Sequence, residues 1–178
     1  MNVLEQVTDI LEELYRHGWD ERNGGNLSYI LTEEEVEQVC DINNVIREFK
    51  YDFDLSSLIG KYFIITGTGK YFRNCKKDPE TNLGIMKVKD AHTLSLLWGY
   101  KDGGRPTSEA PTHLKCHIER LKVDADHRLV IHCHPTNIIC MTHICSLDSN
   151  LFTEILWKMQ TESIVVFPEG ISVLPWIL

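Results

Sequence analysis

Strand-like and helix-like segments alternate along this chain, and the alternation limits the possible folds more than any other feature of the sequence. Strands are indicated by short runs of β-branched and aromatic residues, and helices by apolar residues that recur every third or fourth position. The predicted strands are Leu27–Leu31, Tyr62–Thr66, Leu83–Val88, Thr93–Tyr100, Leu129–His134, Ser163–Phe167 and Ile171–Trp176. Helices are predicted over Val3–Tyr15, after a capping box at Thr32, from a cap at Thr107 or Ser108, from Pro135, and over residues 151–160. Such alternation is typical of a layered α/β domain.

Length and charge limit the class of partner. The chain has 178 residues and a net charge of −8, which suits one domain and argues against nucleic acid, since that partner usually needs a clustered basic surface. No run approaches about eighteen uncharged apolar residues, so we expect no membrane span. The N-terminus has neither the basic nor the apolar region of a signal peptide. We therefore expect a cytoplasmic protein whose six cysteines are reduced.

Two histidines are the first candidate metal ligands. His132 and His134 flank Cys133 on a predicted strand. Side chains at i and i+2 lie on the same face of a strand, about 7 Å apart, so both imidazoles can reach one ion while Cys133 faces away. Neutral imidazole is a good zinc ligand. Two ligands do not complete a zinc site, however, and the pattern also fits two ordinary histidines on a strand.

The start of the helix predicted after residue 106 is a candidate anion site. Two hydroxyls and free backbone amides at a helix N-terminus suit an anion, but they equally suit an ordinary cap followed by an acidic first turn. Glu109, His113 and His117 share one face of this helix. That face is either a second metal cluster or a solvated polar face, and for His117 we expect the solvated face.

Two glycine-rich loops, Asn23–Asn26 and Thr66–Gly69, are candidate phosphate sites. Glycine allows the backbone to approach an oxyanion closely, and Asn and Thr side chains can donate hydrogen bonds to it. Neither loop matches a nucleotide-binding fingerprint. Each loop taken alone is more typical of an ordinary turn.

Taken together, these segments resemble the class II aldolase and adducin family. The resemblance extends over all 178 residues and is carried by Gly18–Leu27, Thr66–Asn74, Pro106–Glu109, His132–His134, Phe167–Pro168 and Leu174–Trp176. The His-x-His and Gly-Gly-Asn elements mark the superfamily, and the longer runs in the first two stretches point to the branch that acts on L-rhamnulose 1-phosphate. The resemblance implies one α/β domain over residues 1–178, with a central, mainly antiparallel sheet flanked by helices. It also implies a homotetramer with active sites between subunits.

The resemblance further implies an activity and a set of site residues. The family reaction cleaves L-rhamnulose 1-phosphate to dihydroxyacetone phosphate and L-lactaldehyde, with one Zn2+ ion per subunit. By the family pattern, His132 and His134 bind zinc. Glu109 moves the proton on the carbon next to the carbonyl and contacts zinc before substrate binds, while Glu162 reaches the site of a neighbouring subunit. The residues implied to hold the phosphate are Asn23, Asn26, Thr68, Thr107 and Ser108.

The sequence departs from the family pattern at its C-terminal end. The third zinc histidine of the family comes from a segment beyond Leu178, so we expect this sequence to lack the C-terminal third of the fold. Catalytic zinc normally has three protein ligands. Two other interpretations therefore stay open. One is another ketose-phosphate enzyme of the superfamily, such as a fuculose-phosphate aldolase, a pentulose-phosphate 4-epimerase or a dehydratase. The other is an inactive, adducin-like fragment.

Overall fold

The chain divides into two compact units, Met1–His134 and Pro135–Leu178. The structure is a computed structural model, in which residues 2–175 are described. None of the helices within those residues is long and apolar enough to cross a membrane. The single domain expected over residues 1–178 stays a prediction.

The first unit is built on one six-stranded sheet. Its strands are β1 (Asn26–Leu31), β2 (Arg47–Lys50), β3 (Tyr62–Thr66), β4 (Leu83–Asp90), β5 (Thr93–Gly99) and β6 (Leu129–His132). They lie in the order β2-β5-β4-β3-β1-β6, and every neighbouring pair is antiparallel. The helices of this unit are α1 (Val3–Arg16), α2 (Glu33–Glu37), α3 (Phe72–Cys75), α4 (Pro79–Asn82) and α5 (Ala110–Arg120). The predicted fold class, an antiparallel sheet flanked by helices, is confirmed.

Local sequence signals explain where the first two helices begin. Asn2 caps α1: its side chain accepts from the backbone of Glu5, and the Glu5 side chain accepts from the backbone of Asn2. Thr32 and Glu35 form the same reciprocal capping box at α2. Each box pairs two backbone N–H groups that helix geometry leaves without a partner. The capping box predicted at Thr32 is therefore confirmed.

The sheet is covered on both faces, as its central strand shows. All five residues of β3 are buried. Ile64 packs into a cluster with Leu11 of α1, whereas Phe63 and Ile65 pack into a second cluster with Leu114 of α5. Successive side chains of a strand point to opposite faces, so two apolar layers are needed to bury such a run. Helices α1 and α5 thus lie on opposite faces of the sheet.

One boundary in the first unit differs from the prediction. Glu109 is the N-cap residue of α5, in place of Thr107 or Ser108. The Thr107 hydroxyl instead accepts from the backbone N–H of Glu109, at 3.3 Å, so this hydroxyl closes a turn before the helix. Strand β2 was not anticipated, because its four residues alternate between half-buried and exposed and carry little apolar signal.

The second unit is helical. Its helices are α6 (Thr136–Ile144), α7 (Ser149–Met159) and α8 (Glu162–Val166). The predicted strand Ser163–Phe167 is wrong, because these residues lie mostly within α8. Val165 and Val166 are 78% and 60% exposed, and no strand of the described residues in this unit is available to pair with them. The predicted last strand is also absent from residues 171–175, and its final residue lies outside the described ones.

Candidate active site

The two candidate zinc histidines lie together at the end of edge strand β6, which ends at His132 and not at His134 as predicted. Their Nε2 atoms are 3.0 Å apart, and the ring centroids are separated by 4.8 Å. Cys133, between them, packs against the core cluster that includes α1. His134 lies two residues beyond the last strand residue, and both imidazoles still lie on one side of the chain, as their i, i+2 spacing predicts.

A different carboxylate contacts the other nitrogen of each ring. Glu109 Oε2 lies 2.7 Å from Nδ1 of His132, and Glu21 Oε1 lies 2.8 Å from Nδ1 of His134. The hydrogen bond with His134 lowers the pKa of Glu21. Carboxylates in this position fix the ring orientation and the tautomer of metal-binding histidines. Here Glu109 meets the Nδ1 edge of His132, while the Nε2 atoms of the two rings face each other.

The loop before β1 is held against the two histidines by close backbone packing. The backbone N–H of His134 donates to the Trp19 carbonyl at 2.7 Å. A Cβ atom on Gly24 would lie 2.9 Å from the His134 ring, and one on Gly25 would lie 2.5 Å from the ring of Phe72. The Gly-Gly pair is therefore needed for the close approach of this loop, and the approach brings Glu21 to the site.

The proposed phosphate residues come from segments that meet at one end of β1 and β3. Residues 105–107 run beside residues 66–68: the Thr107 N–H donates to the Thr66 carbonyl, and the Thr68 N–H donates to the Arg105 carbonyl, both at 2.9 Å. The Thr66 hydroxyl accepts from the Leu27 N–H at 3.1 Å, next to Asn26. Thr68, Ser108 and Asn23 are exposed, whereas Thr107 and Asn26 are buried.

The expectation of a solvated face for His117 is wrong. His113 and His117 are buried, and both rings contact the hydroxyl of Ser28, at 2.7 Å and 2.8 Å. Burial lowers the pKa of each histidine to about 4. Ser28 was missed at the sequence level. The sequence feature that could have identified Ser28 is its position in an otherwise apolar strand, because a buried hydroxyl there needs a hydrogen-bond partner.

The geometry suits part of a zinc site. Two imidazoles with facing Nε2 atoms, each supported by a carboxylate, are the donor chemistry that zinc prefers. No group of three or more His, Cys, Asp and Glu side chains in residues 2–175 is arranged to hold a metal ion. Glu162 is exposed in α8 of the second unit, and its role stays a prediction.

Comparisons with known proteins show the family of the chain. The family "Class II Aldolase and Adducin N-terminal domain" matches residues 5–177. A rhamnulose-1-phosphate aldolase of Listeria monocytogenes is 48% identical over 98% of this chain and 64% of its own length. A protein of the same name from Enterococcus faecalis is 46% identical over 100% of this chain and 66% of its own length. The chain thus spans somewhat less than two thirds of the length of these relatives.

A solved structure supports the same fold. The crystal structure of a sugar-phosphate aldolase from Thermotoga maritima superimposes with a TM-score of 0.80 and 26% sequence identity, covering 98% of this chain and 70% of that one. The match over nearly all of the sequence, the identity to the curated relatives and the shared fold lead to one conclusion. The chain belongs to the class II aldolase and adducin family.

Proposed function

We propose that the chain is a zinc-dependent aldolase that cleaves L-rhamnulose 1-phosphate to dihydroxyacetone phosphate and L-lactaldehyde. The observation that carries this proposal is the 3.0 Å approach of the Nε2 atoms of His132 and His134, with Glu109 beside them. The names and identities of the two bacterial relatives support the substrate. Since this chain spans 64% of the first relative, the activity of the whole protein is part of the proposal.

In this proposal His132 and His134 bind zinc through Nε2. Bound zinc would act as a Lewis acid toward the negative charge that develops on the substrate when the carbon–carbon bond breaks. A ring that offers Nε2 to a metal carries its own proton on Nδ1. Glu109 and Glu21 lie where they can accept those protons, at 2.7 Å and 2.8 Å. The two carboxylates would therefore hold both rings in the tautomer that binds metal.

Glu109 is also the proposed acid and base. Its side chain is 41% exposed, so it is open to substrate, and it precedes α5 at a turn closed by the Thr107 hydroxyl. In retro-aldol cleavage the carboxylate would accept a proton from the substrate hydroxyl and return one to the carbon next to the carbonyl. A side chain anchored at one end of a rigid helix suits this transfer, because proton transfer requires a fixed donor-to-acceptor distance.

The proposed phosphate cradle consists of Thr68, Thr107 and Ser108 together with Asn23 and Asn26. Three of these five side chains are exposed, and the Thr68 hydroxyl donates to the Pro106 carbonyl at 2.5 Å. That contact ties the two hydroxyl-bearing segments together. Binding of a phosphate remote from the reacting carbons would supply orientation and binding energy for the chemical step.

We propose in addition that Glu162 acts at the site of a neighbouring subunit in a cytoplasmic homotetramer. This part rests on the family resemblance alone. Its test is the molar mass in solution, measured by light scattering, together with the turnover of a Glu162→Gln variant mixed with a Glu109→Gln variant. Recovery of activity in the mixture would support shared sites, and a monomeric, inactive mixture would contradict them.

The main test is an assay panel on the zinc-loaded protein with rhamnulose, fuculose and ribulose phosphates. We expect dihydroxyacetone phosphate from the first substrate, abolition of turnover in Glu109→Gln, and normal turnover in Glu119→Gln, which changes an exposed acid of the same helix. Reaction of only the pentulose phosphate, without carbon–carbon cleavage, would favour an epimerase. Failure to bind zinc together with no turnover would favour the inert, adducin-like alternative.

A further inference from the structure

Tyr100, the residue that follows β5, has a backbone conformation that aromatic residues rarely adopt. Its φ is +47°, in the left-handed region, where the Cβ atom makes the conformation unfavourable for residues other than glycine. The residue is nevertheless 1% exposed and therefore fixed by its surroundings. Such a conformation persists only where other contacts compensate for it, and it occurs preferentially at functional sites. The contacts of Tyr100 are therefore a guide to its role.

The ring of Tyr100 packs against β4 and against the Thr66–Gly69 loop. A Cβ atom on Gly84 would overlap this ring, and one on Gly67 would lie 3.2 Å from it, so both glycines leave space for the ring. The Tyr100 hydroxyl donates to the Ile65 carbonyl at 3.0 Å. Burial raises the pKa of this hydroxyl well above its usual value, so it stays protonated and able to donate.

These contacts lie on either side of Thr66, in the first of the two hydroxyl-bearing segments, 66–68 and 105–108. The Thr66 carbonyl accepts from the Thr107 N–H, and the Thr66 hydroxyl accepts from the Leu27 N–H. Thr66 therefore joins the first segment to the second and to β1. A side chain that holds the residues before and after Thr66 also fixes this junction.

The main chain of Tyr100 begins the turn that leads to the second segment. Its carbonyl accepts from the Gly103 N–H at 2.9 Å. The Arg47 guanidinium donates to the carbonyls of Gly103 and Gly104, at 2.9 Å and 2.7 Å, which holds this turn to β2. One buried residue thus supports the first segment through its side chain and starts the turn into the second through its main chain.

We propose that Tyr100 is a positioning residue that sets the spacing of the two hydroxyl-bearing segments for a substrate phosphate. Thr68 lies on the first segment, and Thr107 and Ser108 lie on the second, so a phosphate between them needs both segments at fixed positions. An extended backbone at residue 100 would continue β5 instead of starting the turn, so the strained conformation is part of the arrangement. This inference rests on the phosphate residues of the proposed function.

The test compares two buried tyrosines, one in contact with the end of β3 and one at its start. Tyr100→Phe keeps the ring and removes its hydroxyl, whereas Tyr62→Phe removes a hydroxyl that donates to Glu33 at 3.1 Å. Binding of inorganic phosphate is measured by calorimetry, and binding of cobalt by chelator competition. In Tyr100→Phe we expect a phosphate affinity about fivefold lower, the equivalent of one neutral hydrogen bond, with an unchanged cobalt affinity. In Tyr62→Phe we expect both affinities to be unchanged.

Equal phosphate affinities in the two variants would overturn the inference. A joint loss of phosphate and cobalt affinity in Tyr100→Phe would also overturn it, because such a loss indicates a general structural role. Failure of the wild type to bind phosphate would contradict the proposed phosphate residues, and the amide signals of Thr68 and Ser108 in ligand-free protein, followed by 15N NMR, then decide the role of Tyr100. We expect Tyr100→Phe to shift both signals and Tyr62→Phe to shift neither. Signals unchanged by Tyr100→Phe would show that it does not position these segments.

Discussion

His132 and His134 face each other through their Nε2 atoms, 3.0 Å apart; His132 ends strand β6, His134 lies two residues beyond it, and both are half-buried. In neutral histidines one of these nitrogens must carry a proton to make this contact. A bound metal ion would replace that proton and accept both lone pairs. The relationship between the two rings is therefore the clearest point at which metal binding can be tested in this chain.

Replacing either histidine by alanine should weaken zinc binding by more than about 100-fold, since loss of an outer partner alone costs 10- to 100-fold. Cys133→Ala is the matched control, because Cys133 lies between them and packs into the core. Affinities are obtained by chelator competition at constant pH. Equal zinc affinity in His132→Ala and Cys133→Ala would remove His132 from the site.

Glu21→Gln should lower the affinity for zinc without lowering the stability of the fold. The Glu21 side chain is 69% exposed, so its contact with His134 contributes little to folding. As the acceptor for Nδ1 of a ring that we propose binds zinc, Glu21 should nevertheless affect the zinc affinity. We expect an unchanged melting temperature and a zinc affinity about tenfold lower. Glu13→Gln, at another exposed acid, is the control, and identical zinc affinities in the two variants would refute the role of Glu21.

The sequence was informative wherever local chemistry decides the outcome. The run 62–66 predicted β3 with its observed bounds, and Thr32 with Glu35 predicted a capping box that is present. The run 163–167 was misleading because β-branched residues favour a strand only where a partner strand exists. Tertiary context decides such cases, and it lies outside any local window.

The sequence predicted which side chains lie on one side of a segment, but it did not predict which distant segments would pack against them. Spacing on a strand placed His132 and His134 on one side. The same kind of argument left open whether the helix face with His113 and His117 forms a metal cluster or a solvated polar surface. Their burial depends on the packing of α5 over Ser28, which joins residues 85 and 89 positions apart in the chain. Helical periodicity shows which residues share a face, but it does not show whether that face packs against the protein or against solvent.

Gly25→Ala should destabilise the first unit by roughly 1–3 kcal/mol, the usual range for overpacking. The added Cβ would lie 2.5 Å from the ring of Phe72, which is 2% exposed and cannot move freely. Phe72→Leu in the same chain should recover part of that loss, because it removes the clashing ring atoms. The free energy of unfolding of the two single variants and the double variant is measured in urea. Strictly additive losses would show that the two residues do not meet.

Acid should destabilise the first unit through its buried histidines. Burial lowers the pKa of His117 and of His113 from 6.5 to about 4, so the folded state binds fewer protons than the unfolded chain between these values. The stabilisation from neutral burial is therefore complete above about pH 6.5 and declines as pH falls toward about 4, by at most about 1.4 kcal/mol per pH unit for each histidine. Urea unfolding at pH 7 and pH 5, followed by hydrogen exchange of the Ile64 amide, measures this decline.

His117→Gln should make the loss of stability between pH 7 and pH 5 smaller, whereas His92→Gln, at an exposed histidine, should leave that loss unchanged. Parallel declines in wild type and His117→Gln would mean that His117 does not contribute to the acid sensitivity.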